Sequence, residues 1–405
     1  MNRKNIFNAL LMIAFAYCCV ISSKVFASDK EISSLVNGNN GFAIDLYKEL
    51  KDEDGNLFFS PYSISTALAM TYAGARGNTE VEIAEVLHFD LGQDSLHKAF
   101  GELEGKINAV EEMGDVQLNI ANALWLEKEY IFLDEYLSLV GSNYSAAFKT
   151  VDFSNSYEDA RLEINGWVKD KTNNKIMDLL APGAVDSLTR LVLTNAIYFK
   201  GDWLEGFKEI DTKDKEFWLT EADSVIASLM YQEEEFKYME NDSLMVLELP
   251  YKGEEVSMVV LLPKEKEGLS TIEEVLSIEN LNMWISDLGE QEIKVFLPKF
   301  KLESKFELKD NLSSMGMPDA FSSNSDFSGI DGTDLLYISK IIHKAFVDVD
   351  EKGTEAAAAT AVVMTLRSMA AATPIFLADH PFMFLIKESK TGSILFLGRL
   401  VNPLK

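Results

Sequence analysis

Arg367 and Ser368 flank the peptide bond in this chain that most plainly suits a chemical event. They lie in EKGTEAAAATAVVMTLRSMAAATPIFLADHP, residues 351–381, where Arg367 is the only Lys or Arg between Lys352 and Lys387. An arginine among small, uncharged neighbours is what the specificity pocket of a trypsin-like protease binds, guanidinium to carboxylate. The catalytic serine of such an enzyme would attack the Arg367 carbonyl and release Ser368 as a new amino terminus. This is the chemistry of a substrate.

The chain's own groups offer little for catalysis. Its four histidines are His88, His97, His343 and His380, and none forms HExxH. No GxSxG elbow, Walker loop or helix-opening GxGxxG occurs. A chain with 65 carboxylates shows close acidic pairs by chance. Both cysteines, Cys18 and Cys19, fall near the amino terminus, so a structural zinc site is not expected. The expectation is a protein that is not an enzyme and carries no cofactor or metal.

The elements that must position the Arg–Ser bond are legible on either side of it. KAFVDVD before it and PFMFLI after it read as buried strands. A long loop between packed elements is usually functional or disordered. Apolar residues at helical spacing mark helices over 41–51, 63–73, 77–86, 95–109 and 157–171. Residues 116–124 alternate like a strand, and 191–199 form the near-continuous apolar run of a fully buried one. From Ser224 strands dominate: 245–249, 257–262, 292–298, 344–350, 382–386 and 394–400. Helices first and strands later read as an α+β fold. With no linker and no repeat, residues 41–405 form one domain, preceded by a disordered lead-in over 28–40.

Residues 1–27 have the basic start, apolar centre and small-residue end of a secretory signal peptide, with cleavage after Ala27. The apolar centre is short for a membrane span. A secreted protein is therefore expected, periplasmic if the host is Gram-negative. Cleavage would remove Arg3, Lys4 and Lys24 and no acidic residue, taking the net charge from −28 to −31. Such acidity argues against nucleic acid, anionic membranes and heparin as partners. Asn143, Asn241 and Asn311 open Asn-x-Ser sequons.

Several separated motifs resemble the serpins, inhibitors of serine proteases, from about Gly41 to Pro403. These are NLFFSPYSISTALAM (56–70), TNAIYFKGDW (194–203), LELPYKG (247–253), LPKF (297–300) and His380 to Pro403. The resemblance implies helices around a large central mixed sheet with two smaller sheets and an exposed reactive-centre loop. It also implies a monomer that a trypsin-like serine protease attacks. In that family the positions of Ser60, Ser63, Asn195 and His343 form a hydrogen-bonded cluster beneath the main sheet. On the residues alone, Ser60-Pro61 could simply turn the chain and His343 be an ordinary satisfied strand histidine. Glu351 and Lys299 correspond to positions that pair near Trp203, where the loop enters the sheet. Family spacing places the scissile bond seventeen residues into the loop counted from Glu351, again at Arg367–Ser368. Where some serpins carry a basic heparin-binding helix, residues 95–109 offer only Lys98 and Lys106 against Glu102 and Glu104, so no heparin partner is expected.

The resemblance implies that the cleaved loop becomes a new strand, and the loop's residues can be tested for fitness. The hinge comprises Glu351, Gly353, Thr354, Glu355, Ala356, Ala357 and Ala358. In a strand, Thr354, Ala356, Ala358, Thr360, Val362 and Met364 share one face. That face carries no charge, and an unpaired buried charge would be very costly. The same alanines suit a short helix before cleavage. Charge, proline or bulk on the inward face would instead suit a non-inhibitory serpin acting as carrier, chaperone or storage protein.

Overall fold

The structure, a computed structural model, describes residues 27–112, 116–145, 147–353 and 373–405. It opens with α1 (Asp29–Leu50), a short strand β1 (Leu57–Phe59), and helices α2 (Pro61–Tyr72), α3 (Gly77–Val86) and α4 (Gln93–Glu112). Strand β2 (Val116–Glu127), α5 (Asp134–Asn143), β3 (Ala147–Val151), α6 (Phe153–Lys171) and β4 (Leu191–Gly201) follow.

Residues 28–40 are not a disordered lead-in but the start of α1. Ser28 caps the helix: its Oγ accepts from Glu31 N (3.3 Å), and Glu31 Oε2 accepts from Ser28 N (2.8 Å), satisfying otherwise orphaned donors. Ile32, Leu35 and Val36 are buried. The end of the polar run, Asn39 and Asn40, is buried too. Asn40 Nδ2 donates to Gly392 O (2.9 Å), and Asn40 Oδ1 accepts from Ile394 N (3.0 Å).

The second half is mostly strands: β5 (Lys213–Trp218), β6 (Ser224–Glu240), β7 (Leu244–Pro250), β8 (Val256–Pro263) and, after two short helices, β9 (Gly289–Pro298) and β10 (Phe300–Glu307). The last four are β11 (Ile341–Val349), β12 (Ile375–Leu377), β13 (Phe382–Glu388) and β14 (Ile394–Leu400). Among the described residues they form two sheets. The larger runs β1-β14-β13-β8-β7-β6-β9-β12, with β5 also on β6. The 17-residue β6 pairs in turn with β5, β9 and β7, so hydrogen bonds join what read as two smaller sheets into one path.

The five-stranded sheet positions the site. Its order is β10-β11-β4-β2-β3, and its middle pair, β11 and β4, is parallel while β10–β11 and β2–β4 are antiparallel. Alternation gives each strand two faces. On one, Leu118, Leu124, Leu193, Ile197, Ile341 and Val347 join the main core with α2. On the other, Trp125, Val192, Tyr198, Ile342 and Phe346 pack with Ile164 and Val168 of α6 and with Ile176 and Leu180 beyond it.

Candidate functional site

On the α2 face, three neighbouring strands each place one polar side chain in an otherwise apolar row. Asn122 of β2 pairs in register with Asn195 of β4, which pairs with His343 of β11. The amino terminus of α2 meets them. Pro61 starts that helix with its fixed φ, and Ser60 caps it, Oγ accepting from Ser63 N at 3.2 Å. Ser60 N donates to His343 Nε2 at 3.0 Å, so the ring proton sits on Nδ1 and is donated to Asn195 Oδ1. Asn195 Nδ2 donates to Ser63 Oγ (2.7 Å) and to Asn122 Oδ1 (2.8 Å), and Ser63 Oγ donates to Asn122 Oδ1 (3.0 Å). Burial depresses the His343 pKa to about 3, so the imidazole is neutral.

The structure thus brings together Ser60, Ser63, Asn195 and His343 and adds Asn122, which the sequence reading missed. Asn122 was detectable by parity, because it shares a strand face with Leu118 and Leu124.

The parallel pair above this cluster is only partly joined. Its register runs from Ile341 opposite Leu193 to Phe346 opposite Tyr198 and stops, although β11 continues to Val349 and β4 to Gly201. Beyond that point, among the described residues, Val347 and Val349 pair outward with β10, and Phe199 and Gly201 outward with β2.

Gly353 sits in the mouth of this opening. It forms an antiparallel bridge to Asp350, just past β11, and another to Asp202, just past β4. Its φ is +112°, and a Cβ there would lie 2.4 Å from both Gly201 O and Trp203 N, so the position requires glycine. Around it, Trp203 N donates to Lys352 O (3.0 Å) and Trp203 Nε1 to Asp350 O (3.0 Å), while the indole stacks on Tyr251 at 4.5 Å. The expected Glu351–Lys299 pair is present at 2.6 Å, and Thr212 Oγ1 donates to the other Glu351 oxygen at 2.9 Å. Burial alone would raise the Glu351 pKa, but the bonds from Lys299, its own backbone N–H and Thr212 outweigh it and hold the carboxyl below its ordinary value. Thr212 carried no sequence signal, and Asp202 and Tyr251, though inside the 194–203 and 247–253 motifs, had no role assigned, because only the fold brings all three to this corner.

On the opposite face, residues 172–180 cross the β4–β11 pair. Lys175 Nζ lies 5.6 Å from the centroids of both Tyr198 and Phe346, and Lys344 Nζ donates to Met177 O at 3.0 Å.

Thr354, Glu355, Ala356, Ala357, Ala358, Arg367 and Ser368 lie outside the described residues. Among the described residues no three His, Cys, Asp or Glu side chains gather where they could hold a metal ion, and no helix is long and apolar enough to cross a membrane.

Comparison with known proteins finds the same architecture. The family model described as serpin (serine protease inhibitor) matches residues 37–403. The leukocyte elastase inhibitor of Xenopus tropicalis is 46% identical over 371 residues, 89% of this chain and 97% of that protein. The human leukocyte elastase inhibitor is 44% identical over 383 residues, 92% of this chain and 100% of that protein. Uncleaved ovalbumin has a TM-score of 0.82 at 35% identity, covering 91% of this chain and 100% of that one. Maspin has a TM-score of 0.84 at 30% identity, covering 92% and 100%.

Proposed function

This chain belongs to the serpin family of serine protease inhibitors, and from that premise we propose that it is an exported inhibitor of trypsin-like proteases, cleaved at Arg367–Ser368 and trapping its attacker by strand insertion. The observation that carries this reading is Gly353, bridged at once to the ends of β4 and β11 like the first residue of a missing middle strand.

The registers support the rest. Continued antiparallel, the Asp350–Gly353 bridge sets Ala357 opposite Phe346, and the Asp202–Gly353 bridge sets it opposite Tyr198. Phe346 and Tyr198 are already partners in the existing ladder, so one strand would satisfy both sides without a shift. Thr360 would then fall between Asn195 and His343, whose direct bond must part. A cluster rich in donors and acceptors can re-pair around a threonine, whereas an orphaned buried group costs about 1–3 kcal/mol. Residues 172–180 must lift from the β4–β11 pair as the strand passes.

In this reaction the protease's serine Oγ bonds to the Arg367 carbonyl carbon, the Arg367–Ser368 C–N bond breaks, and the proton leaves on the Ser368 amine. Insertion of residues 354–366 carries the acyl-enzyme away before water cleaves the ester. The two leukocyte elastase inhibitors are named for elastase, a class whose specificity pocket is small. Arg367 favours a pocket with a carboxylate instead.

The test is to mix the protein with trypsin and examine the products by denaturing gel and mass spectrometry. The expected result is a covalent complex with release of a peptide beginning at Ser368. Arg367→Glu should slow trapping of trypsin by orders of magnitude while barely moving the melting temperature. Wild-type trapping by Arg367→Glu would mean that another bond is the reactive one, with elastase-like cleavage nearby as the competing reading.

A further inference from the structure

The Asn-x-Ser sequons at Asn143, Asn241 and Asn311 play no part in protease trapping, and the fold holds them in three different ways. Asn143 ends α5 half-buried, and its Nδ2 donates to Leu139 O at 2.8 Å. Tyr144 after it is buried, its hydroxyl 2.6 Å from His97 Nδ1, and Ser145 N donates to Glu104 Oε2 at 3.0 Å. A Cβ on Gly101 would lie 3.0 Å from Asn143 O, so α4 packs directly on this turn. Asn311 is half-buried inside the helix Lys309–Met315. Residues two apart on a helix do not face each other. Ser313 Oγ donates instead to Lys309 O at 2.7 Å.

Asn241 is arranged otherwise. With Asp242 and Ser243 it makes the exposed turn between β6 and β7. Its Oδ1 accepts from Ser243 N at 2.9 Å and from Leu244 N at 3.0 Å, a turn closed by the asparagine's own side chain. The sequon's asparagine and serine are thus already held together. Both bonds use Oδ1, and among the described residues none takes up Nδ2. Beside the turn lies an open groove of about 470 Å³, lined by Tyr238, Asn241, Met283, Asp287, Gln291 and Pro374. It has the size of a small-ligand site. Its amide and carboxylate groups suit hydroxyls, and Met283 and Tyr238 suit the C–H faces of a sugar.

We propose that Asn241 is this chain's acceptor for an N-linked glycan, the groove beside it giving the first sugars room. The inference rests on the export reading above, because the donor, a lipid-linked oligosaccharide pyrophosphate, and its transferase act on exported chains. Asn241 Nδ2 bonds to the anomeric carbon of the first sugar. The bond from that carbon to the pyrophosphate oxygen breaks, the pyrophosphate keeps the electron pair, and the amide gives one proton to a base of the transferase. A glycan added during export must then be carried by the folded chain, which places such sites on surface loops. At Asn241 it displaces no bond. At Asn143 it must be fitted where Nδ2 already bonds Leu139 O and α4 packs on the turn.

The test expresses the full chain, leader included, in insect cells that attach N-glycans, and collects protein from the medium. Peptide-N-glycosidase in heavy-oxygen water turns each glycosylated asparagine into an isotope-labelled aspartate, which peptide mass spectrometry locates. The expected result is label at Asn241 in most molecules and at Asn143 and Asn311 in few. Asn241→Gln should abolish the gel-mobility shift that the glycosidase removes from wild type, and the protein should still be secreted folded with a wild-type melting temperature. Secreted protein without label at Asn241 overturns the proposal. So does label at Asn143 or Asn311 equal to that at Asn241, which would mean that the fold does not select among the sequons. If no protein reaches the medium, the export reading fails instead. The same measurement on residues 28–405 behind a leader of proven export then decides the acceptor by itself.

Discussion

The two sheets solve the problem of burial in opposite ways. The nine-stranded sheet is continuous where it meets the core. Strands β8, β13 and β14 pair along nearly their whole lengths, and Phe58, Phe384 and Phe396 stack with no polar group between them. The five-stranded sheet keeps its central parallel pair joined over only six positions and places Asn122, Asn195 and His343 across its buried face. An apolar row would pack as well and leave no donors to satisfy. A polar row is useful where a ladder must part and re-pair, because its groups can exchange partners without being orphaned. In the proposed mechanism the first sheet is a fixed base and the second opens.

The largest effect should come from breaking the base. Phe384 is fully buried against Phe58 and Phe300, so Phe384→Ala should lower unfolding stability by about 3–5 kcal/mol. Folded molecules should still trap trypsin with the wild-type ratio of cleaved protein to complex. A changed ratio at normal stability would mean that the base also takes part in opening.

Thr354→Arg should do the reverse. Thr354 is the first residue after the Gly353 bridge, and insertion would bury its side chain between Gly201 and Val349. An unpaired guanidinium there opposes insertion, while trypsin still recognises Arg367. The cleaved fraction should rise about tenfold or more over complex, roughly the effect of 1.4 kcal/mol on a competing rate, with the melting temperature of intact protein unchanged. An unaltered ratio would remove this hinge from the mechanism.

A third effect concerns the polar row and pH. The His343 pKa is about 3 in the folded chain against an ordinary value of 6.5. Its contribution to stability is therefore fully present above pH 6.5 and is lost as pH falls from there towards 3, by up to ~1.4 kcal/mol per pH unit. Urea unfolding of wild type and His343→Gln between pH 7 and 4.5 should show wild type losing its advantage as acid is added. A constant difference would mean that His343 is not a buried neutral group.

What the sequence exposed follows the same division. Buried strands such as Leu191–Gly201 and Ile394–Leu400 were legible because they are nearly unbroken apolar runs. The α4 and α6 helices were legible by apolar spacing. Strand β6 was not, because Glu233, Glu234 and Glu235 interrupt any alternation, and pairing with β5, β9 and β7 defines it. The start of α1 was misread because Asn39 and Asn40 look like solvent residues until Ser65 and the β14 backbone are seen to bond them. At the site, the serpin motifs located Ser60, Ser63, Asn195, His343, Glu351 and Lys299, and the structure joins them. Thr212 is far from these in sequence and nothing local marks it, and Tyr251 lies in the 247–253 motif but its part in this corner follows only from the fold.

The central claim is that the β4–β11 pair is waiting for a strand. Thermal unfolding of intact protein and of protein nicked within residues 354–367, at the Arg367–Ser368 bond, tests it most directly. Insertion would add about ten backbone hydrogen bonds at ~0.5–1.5 kcal/mol each. The nicked form should therefore melt on the order of 20 °C higher than the intact one. Equal melting temperatures would contradict the account.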